Sequence, residues 1–272
     1  MLKKYFKKNI ALPSDHGSWV FLFSPLIIGF FAGNNWSSSS ILLIIAALAA
    51  FFMRQPAVMM IKSYAGRRSR EDLPASRFWL TVYALVSLAA LNVLVQRGFG
   101  YLSYLAVPGI LVFAWHLYLV SKRAERHQIG VDVIASGALA LAAPGAYWVS
   151  VGQYDTTGWW LWGLAWLQSA ASIVYAFLRL GQRRLKEMPD QKEKFNLGKR
   201  TLLYSGFNFI LTLILGLMGK LPNLIWIPFA IQFAESIYGT YYPAIGVKPT
   251  RIGIRQLIVS TIFTIVFIII WQ

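Results

Sequence analysis

The chain has 272 residues, of which 57% are hydrophobic and 13% charged, with a formal net charge of +16 and a mean hydropathy of +0.55. A soluble domain carries about 25% charged residues, so the composition excludes an ordinary water-soluble fold and predicts a single all-α transmembrane domain over 1–272. The basic residues lie between apolar runs, not on a face with room for a duplex, which argues against nucleic acid; the absence of cysteine excludes disulfides and thiolate chemistry, and His16, His116 and His127 make no ligand spacing, so neither a metal nor another cofactor is expected.

The first eight residues, Met1 to Lys8, are basic like a signal peptide, but the apolar run that follows is long and no small-x-small site ends it, so a retained first helix is expected. Pro13-Ser14-Asp15-His16-Gly17-Ser18-Trp19 then leads into the apolar segment Val20 to Gly33, which contains Pro25 and Gly29. A basic tail, a Pro-x-x-His-Gly-x-Trp motif and a first helix carrying Pro and Gly resemble the opening of the YwiC-like family of bacterial integral membrane proteins. That resemblance implies a polytopic fold in the bacterial cytoplasmic membrane and no particular reaction.

A membrane span needs about 20 mostly apolar residues. Nine segments qualify: 18–34, 37–54, 77–96, 101–121, 130–152, 158–179, 201–219, 222–243 and 252–271. Lys and Arg concentrate in alternate connections: four in the tail, six across Arg54 to Arg77, three in Lys122 to Arg126, eight in Arg179 to Arg200 and three in Lys248 to Arg255. Arg97 and Lys220 alone lie outside these connections. The positive-inside rule therefore predicts a cytoplasmic N-terminus, an external C-terminus and contact with anionic lipids on the cytoplasmic side.

Trp36, Trp148, Trp159, Trp160, Trp162, Trp226 and Trp271 fall near the predicted outer ends, where indoles favour the headgroup layer. Short outer loops at 34–36 and 97–100 predict that the helices they join pack as antiparallel hairpins. Ser37 to Ser40 reads as a helix cap region, and no internal repeat is evident. Pro25, Pro108, Pro144 and Pro228 fall within spans, where each is expected to kink its helix; a central cavity is one consequence, and the general tolerance of membrane helices for proline is the other explanation.

An ionisable group at a helix centre costs roughly 2.5–3.5 kcal/mol to insert, so such groups point to function. Glu235 is the clearest, with Gln232, Gly239 and Tyr242 on its face at i−3, i+4 and i+7. It either lines a cavity or acts as a hydrogen-bonded packing group. Asp132 sits where a carboxylate caps a helix start, and Asp15 has the same alternative while His16 is suited to proton exchange near neutrality. Gln168, Ser172, Tyr175 and Arg179 form a polar stripe facing protein or water. Asp15, His16, Trp19, Arg54, Lys62, His116, Tyr118, Lys122, Arg123, Gln168, Ser172, Asn208, Gln232, Glu235 and Tyr242 are thus the candidate ligand-binding residues, the cations among them also being plain positive-inside residues.

Nine helices with long cytoplasmic connections after the second and sixth also resemble the UbiA superfamily of membrane prenyltransferases. Tyr118-Leu119-Val120-Ser121-Lys122-Arg123 is similar to its Tyr-x-x-x-Lys-Arg segment. The two aspartate-rich motifs that hold Mg²⁺ in that superfamily are replaced by Arg54 to Lys62 and Gln168 to Ser172, which contain no carboxylate. The resemblance implies a UbiA-like bundle without the activity. The expected function is binding of a lipid-like or isoprenoid molecule in a cytoplasm-facing cavity by an accessory protein. A divergent transferase and a small-solute or proton transporter are the alternatives.

Overall fold

The computed structural model describes residues 5–13, 16–124 and 128–272. The described residues form helices α1 (Lys8–Ala11), α2 (His16–Gly33), α3 (Ser38–Tyr64), α4 (Leu73–Gln96), α5 (Ser103–Ser121), α6 (Ile129–Ala140), α7 (Ala142–Val151), α8 (Thr157–Gln182), α9 (Gln191–Leu217), α10 (Trp226–Tyr241) and α11 (Pro249–Trp271), with no strand among them. Seven helical stretches are long and apolar enough to cross a membrane, α6 and α7 together making one. The α2 stretch is a shorter apolar helix, α2 having 18 residues, and α10 has 16. Large apolar side chains such as Leu85, Ile110, Leu203 and Ile269 point outward. Exposed aliphatic rows on helices of this length make the chain a membrane protein.

Several helices outrun the apolar segments that announce them. Proline does not stop α3 at Pro56, and the helix continues to Tyr64. A capping box between Asp190 and Glu193 starts α9 ten residues ahead of the apolar run, because reciprocal side-chain bonds to the first turn fix a helix start independently of hydrophobicity. At Ser37 the backbone N–H donates to Ser40 Oγ at 3.2 Å, in keeping with the expected cap. Asp132 lies in the first turn of α6.

Small residues, more than loop length, decide which helices pair. Gly29 and Gly33 of α2 face Ala143, Ala146 and Ser150 of α7; a Cβ at Gly29 would collide with the Ala143 carbonyl and stand 2.7 Å from Ala146 Cβ. Close backbone approach across such a seam maximises dispersion contact where lipid removes the hydrophobic incentive. The expected hairpins across the short outer loops are accordingly not the main packing units: α2 pairs chiefly with α7, and α3 with α4, while α9 and α10 do pair across residues 218–225.

The fifth apolar stretch breaks at Leu141, ahead of Pro144. Leu141 N–H turns to Ala138 O at 3.3 Å, which frees the Gly137 carbonyl from its helical partner. Trp162 Nε1 of α8 donates to that carbonyl at 2.9 Å. The stretch thus breaks just ahead of Pro144, whose ring offers no N–H to the Ala140 carbonyl and crowds the preceding turn. Pro25 and Pro108 lie inside α2 and α5. Pro228 is different: it occupies the first turn of α10, where its missing N–H has no helical acceptor to lose, so it starts the helix and does not kink it.

Helix α8 runs through the middle and buries two thirds of its apolar window. Its residues Leu161, Leu164 and Ala165 form a core with Ile28, Phe229, Phe263 and Phe267. A second core joins Leu22, Leu26 and Phe30 to Leu43, Phe51 and Trp148. Trp148 is fully buried there and donates Nε1 to Asp155 O at 2.6 Å, so this indole belongs to the core and not to the headgroup layer.

The N-terminal tail is seated on α3 and α4. Ile10 is fully buried, Gln55 Nε2 donates to Asn9 O at 2.9 Å and Tyr83 OH to Ala11 O at 2.9 Å. Lys7 and Arg68 both reach the Asp72 carboxylate, each at 2.6 Å.

Candidate functional site

The last turn of α8, the last turns of α10 and the first turns of α11 meet at the end of the bundle that bears the basic connections 183–190 and 242–248. Gly239 makes the meeting tight. A Cβ there would collide with Tyr175 Cε2 and stand 2.9 Å from its OH and 3.0 Å from Cζ, so only glycine lets α10 accept Tyr175 of α8. Beneath it, Arg179 is buried and donates Nη1 to Gln182 Oε1 at 3.0 Å, Gly239 O at 3.0 Å and Tyr242 O at 2.6 Å. A guanidinium on the last carbonyls of α10 neutralises the negative end of that helix. Gln182 adds Nε2 to Gly239 O at 2.8 Å and accepts from Ala244 N–H at 3.3 Å, tying the following turn to α8.

Glu235 is held from two sides. Arg255 of α11 donates Nε to Oε1 at 2.6 Å and Nη2 to Oε2 at 2.8 Å, a fork-to-fork pair, and Tyr175 OH donates to Oε1. The Glu235 side chain is 13% exposed and that of Arg255 42%. Arg255 also lies 4.2 Å above the Tyr238 ring, which stacks on Tyr242 at 4.9 Å. An ion pair of this geometry is strong because charge, hydrogen bonds and a π-face act on one guanidinium.

A cleft of about 300 Å³ opens over this cluster. Arg179, Arg251 and Arg255 line it, with Tyr175, Tyr238 and Tyr242 and an apolar side of Pro243, Ala244, Val247 and Ile252. Beside it a small pocket of about 10 Å³ is lined by Ser172, Tyr175, Gln232, Glu235, Ser236, Gln256 and Val259. Deeper polar groups are paired between helices: Gln232 Nε2 to Gln168 O at 2.9 Å, Gln256 Nε2 to Ser172 O at 2.6 Å, Asn208 Nδ2 to Leu167 O at 2.8 Å and Gln168 Nε2 to Ser260 Oγ at 3.4 Å. The Gln168 and Ser172 part of the α8 polar stripe thus faces protein, while Tyr175 and Arg179 border the cleft.

The structure therefore gathers Gln168, Ser172, Gln232, Glu235 and Tyr242 around one locus, with Asn208 beside it. It leaves the other candidates elsewhere. Arg54 and Lys62 are on α3, and His116 and Tyr118 are on α5, which pack chiefly with α4, α6, α7 and each other. Lys122 lies 5.8 Å over the Tyr118 ring at the end of α5, and Arg123 adopts φ 60° in the turn beyond. Trp19 stacks on Phe23 at 5.8 Å and meets Phe51 and Phe52 of α3 edge-on. Asp15 and the side chain of His16 lie outside the described residues. Arg251, Arg255, Tyr238 and Gln256 were not singled out from the sequence, although Arg251 and Arg255 stand four apart inside a helix that begins at Pro249, a spacing that places both on one face.

No curated protein and no solved structure matches the chain. The family model described as "YwiC-like protein" matches residues 12–147, from the end of the N-terminal tail to α7, while the arginine-lined cleft is built by the helices that follow. Over that half of its length the sequence carries the family's pattern, and the chain belongs to the YwiC-like family.

Proposed function

We propose that this is a nine-pass protein of the bacterial cytoplasmic membrane, N-terminus inside and C-terminus outside, that binds a lipid-like molecule, isoprenoid or other, by an anionic head in the cleft between α8, α10 and α11. It acts in this reading as a binding or accessory protein. The observation that carries it is the charge of the cleft: three arginines converge on a space of about 300 Å³ and one carboxylate, Glu235, answers them. Guanidinium forks and phenols are the groups that recognise phosphate and carboxylate oxygens, and a volume of this size suits a headgroup. The apolar side, Val247 and Ile252 among others, suits the first segment of a chain.

The count of nine requires α2 and α10 to cross. At 1.5 Å per residue they span about 27 and 24 Å, near the hydrocarbon thickness, and local thinning accommodates the remainder. With the N-terminus inside, every basic connection and the cleft face the cytoplasm. A UbiA-like course of the nine helices belongs to this reading as topology alone.

The test is mass spectrometry of lipids that copurify with wild type and with Arg251→Ala. An amphiphile with a phosphate or carboxylate head that accompanies wild type and is depleted in the variant supports the reading. Bulk phospholipid alone, in equal amounts in both, overturns it.

A further inference from the structure

We infer that an anion entering the cleft takes the Arg255 fork from Glu235, and that Glu235 accepts a proton in the exchange and directs its hydroxyl to Gln232 Oε1. The inference rests on the proposed function, which brings the anion; what it adds is a coupling of that binding to proton uptake.

Two independent features of α10 lead to it. Arg255 has its Nε/Nη2 edge closed by Glu235, so an anion gains that two-pronged edge, as distinct from the outer Nη1 side, only by displacing the carboxylate. Gln232 Oε1 is buried and has no hydrogen-bond donor while the ion pair is closed. The amide cannot be turned to relieve this, because its other end meets the Gln168 carbonyl, which only an N–H satisfies. A buried acceptor without a donor destabilises the closed state. Gln232 and Glu235 stand three apart on one helix face and both line the 10 Å³ pocket. A carboxylic acid at Glu235 supplies the missing donor: its hydroxyl gives to Gln232 Oε1 while its carbonyl oxygen still accepts from Tyr175 OH.

The exchange balances. For a monovalent head such as that of phosphatidylglycerol, one anion arrives on Arg255 and one proton leaves solution for Glu235, so the charge of the site is unchanged; with divalent sulfate it falls by one. The ionisable groups facing Glu235 are Tyr175 and Arg179 from α8, Arg255 from α11 and Tyr238 from its own helix, with Arg251 farther along the cleft. From α9, Gly198 meets Thr240, Gly206 meets Phe233 and Phe209 stacks on Phe233, and none of these titrates.

The experiment is calorimetric titration of the full-length protein in detergent with two probes that keep a constant charge between pH 5 and 8, dioctanoyl phosphatidylglycerol and sulfate. Buffers of different ionisation enthalpy report the protons taken up. Wild type is expected to take up about one proton per anion and therefore to lose affinity up to ten-fold per unit rise in pH, because each binding event draws a proton from solution. Glu235→Gln, whose amide N–H replaces the carboxylic hydroxyl, is expected to bind more tightly at pH 8, with no proton uptake and no pH dependence. Gln232→Leu, which removes the acceptor, is expected to bind about ten-fold more weakly than wild type. Binding of the lipid alone identifies a headgroup with its tail as the ligand class, and binding of both identifies the anion itself. Anion binding to wild type without proton uptake overturns the inference and leaves the proposed function standing. No binding of either probe to wild type or Glu235→Gln overturns both.

Discussion

Arg255 grips the Glu235 carboxylate with two nitrogens at 2.6 and 2.8 Å, yet the two partners are unequally placed: the guanidinium is 42% exposed and the carboxylate 13%. The pair is therefore asymmetric in what each deletion leaves behind. Removing the arginine strands a carboxylate among α8, α10 and α11, whereas removing the glutamate leaves a guanidinium that still rests on Tyr238 and reaches the cleft.

Arg255→Leu is thus expected to destabilise by about 2–4 kcal/mol and Glu235→Leu by about 1 kcal/mol, the second figure being low because solvent screens the exposed cation. Thermal unfolding in detergent ranks the two. Equal costs would mean that the carboxylate is solvated as freely as the guanidinium.

Gly239→Ala is expected to cost about 1–3 kcal/mol by overpacking, because the new methyl meets the Tyr175 ring. Combining it with Tyr175→Leu is expected to recover much of the loss through non-additivity, as residues in contact do. Additive losses in the unfolding free energies would remove Tyr175 as the reason for glycine at this position.

Asp72 anchors the N-terminal tail by accepting from Lys7 and Arg68, and its own carbonyl accepts from Ser76 Oγ at 2.9 Å. Asp72→Asn is expected to cost about 1 kcal/mol, since both cations are partly exposed, and to raise the rate of trypsin cleavage at Lys7 and Lys8. High salt is expected to raise wild-type cleavage in the same direction. An unchanged cleavage pattern would assign the seating of the tail to Ile10 and the Gln55 and Tyr83 hydrogen bonds.

The chain contains no cysteine, so one introduced thiol labels one place. Gln153→Cys and Lys220→Cys are expected to react with an impermeant thiol reagent in intact cells, and Ser69→Cys, Glu187→Cys and Lys248→Cys only after permeabilisation. The comparison of Lys220 with Lys248 decides whether α10, of 16 residues, crosses. Labelling of both from the same side would rule out nine passes.

Hydropathy located the apolar stretches well because the cost of burying polar groups in hydrocarbon is local to each segment. It did not locate helix ends, since α3 and α9 continue into polar sequence on caps and backbone hydrogen bonds that carry no hydrophobic signal. Glu235 stood out as a carboxylate in an apolar run, and Gly239 and Tyr242 on its face do meet Tyr175 and Arg179. Arg255 was hidden for a physical reason. An arginine near a helix start looks the same in sequence whether it reaches outward to phosphate or inward to a carboxylate 20 residues earlier, and the positive-inside pattern accounts for it either way. The pairing of α2 with α7 was equally out of reach, because Gly29 and Gly33 specify a close neighbour without specifying which one.

The interruption at Leu141 gives one membrane stretch two allegiances. Its first part, α6, rests mainly on α8, which builds the cleft; its second part, α7, is fitted to α2 by the glycine seam. With no continuous ladder of hydrogen bonds across the interruption, twist or tilt applied to one part is poorly transmitted to the other. The fifth stretch is therefore a coupling with play in it: a small shift of α8 leaves the fit of the α2–α7 seam intact.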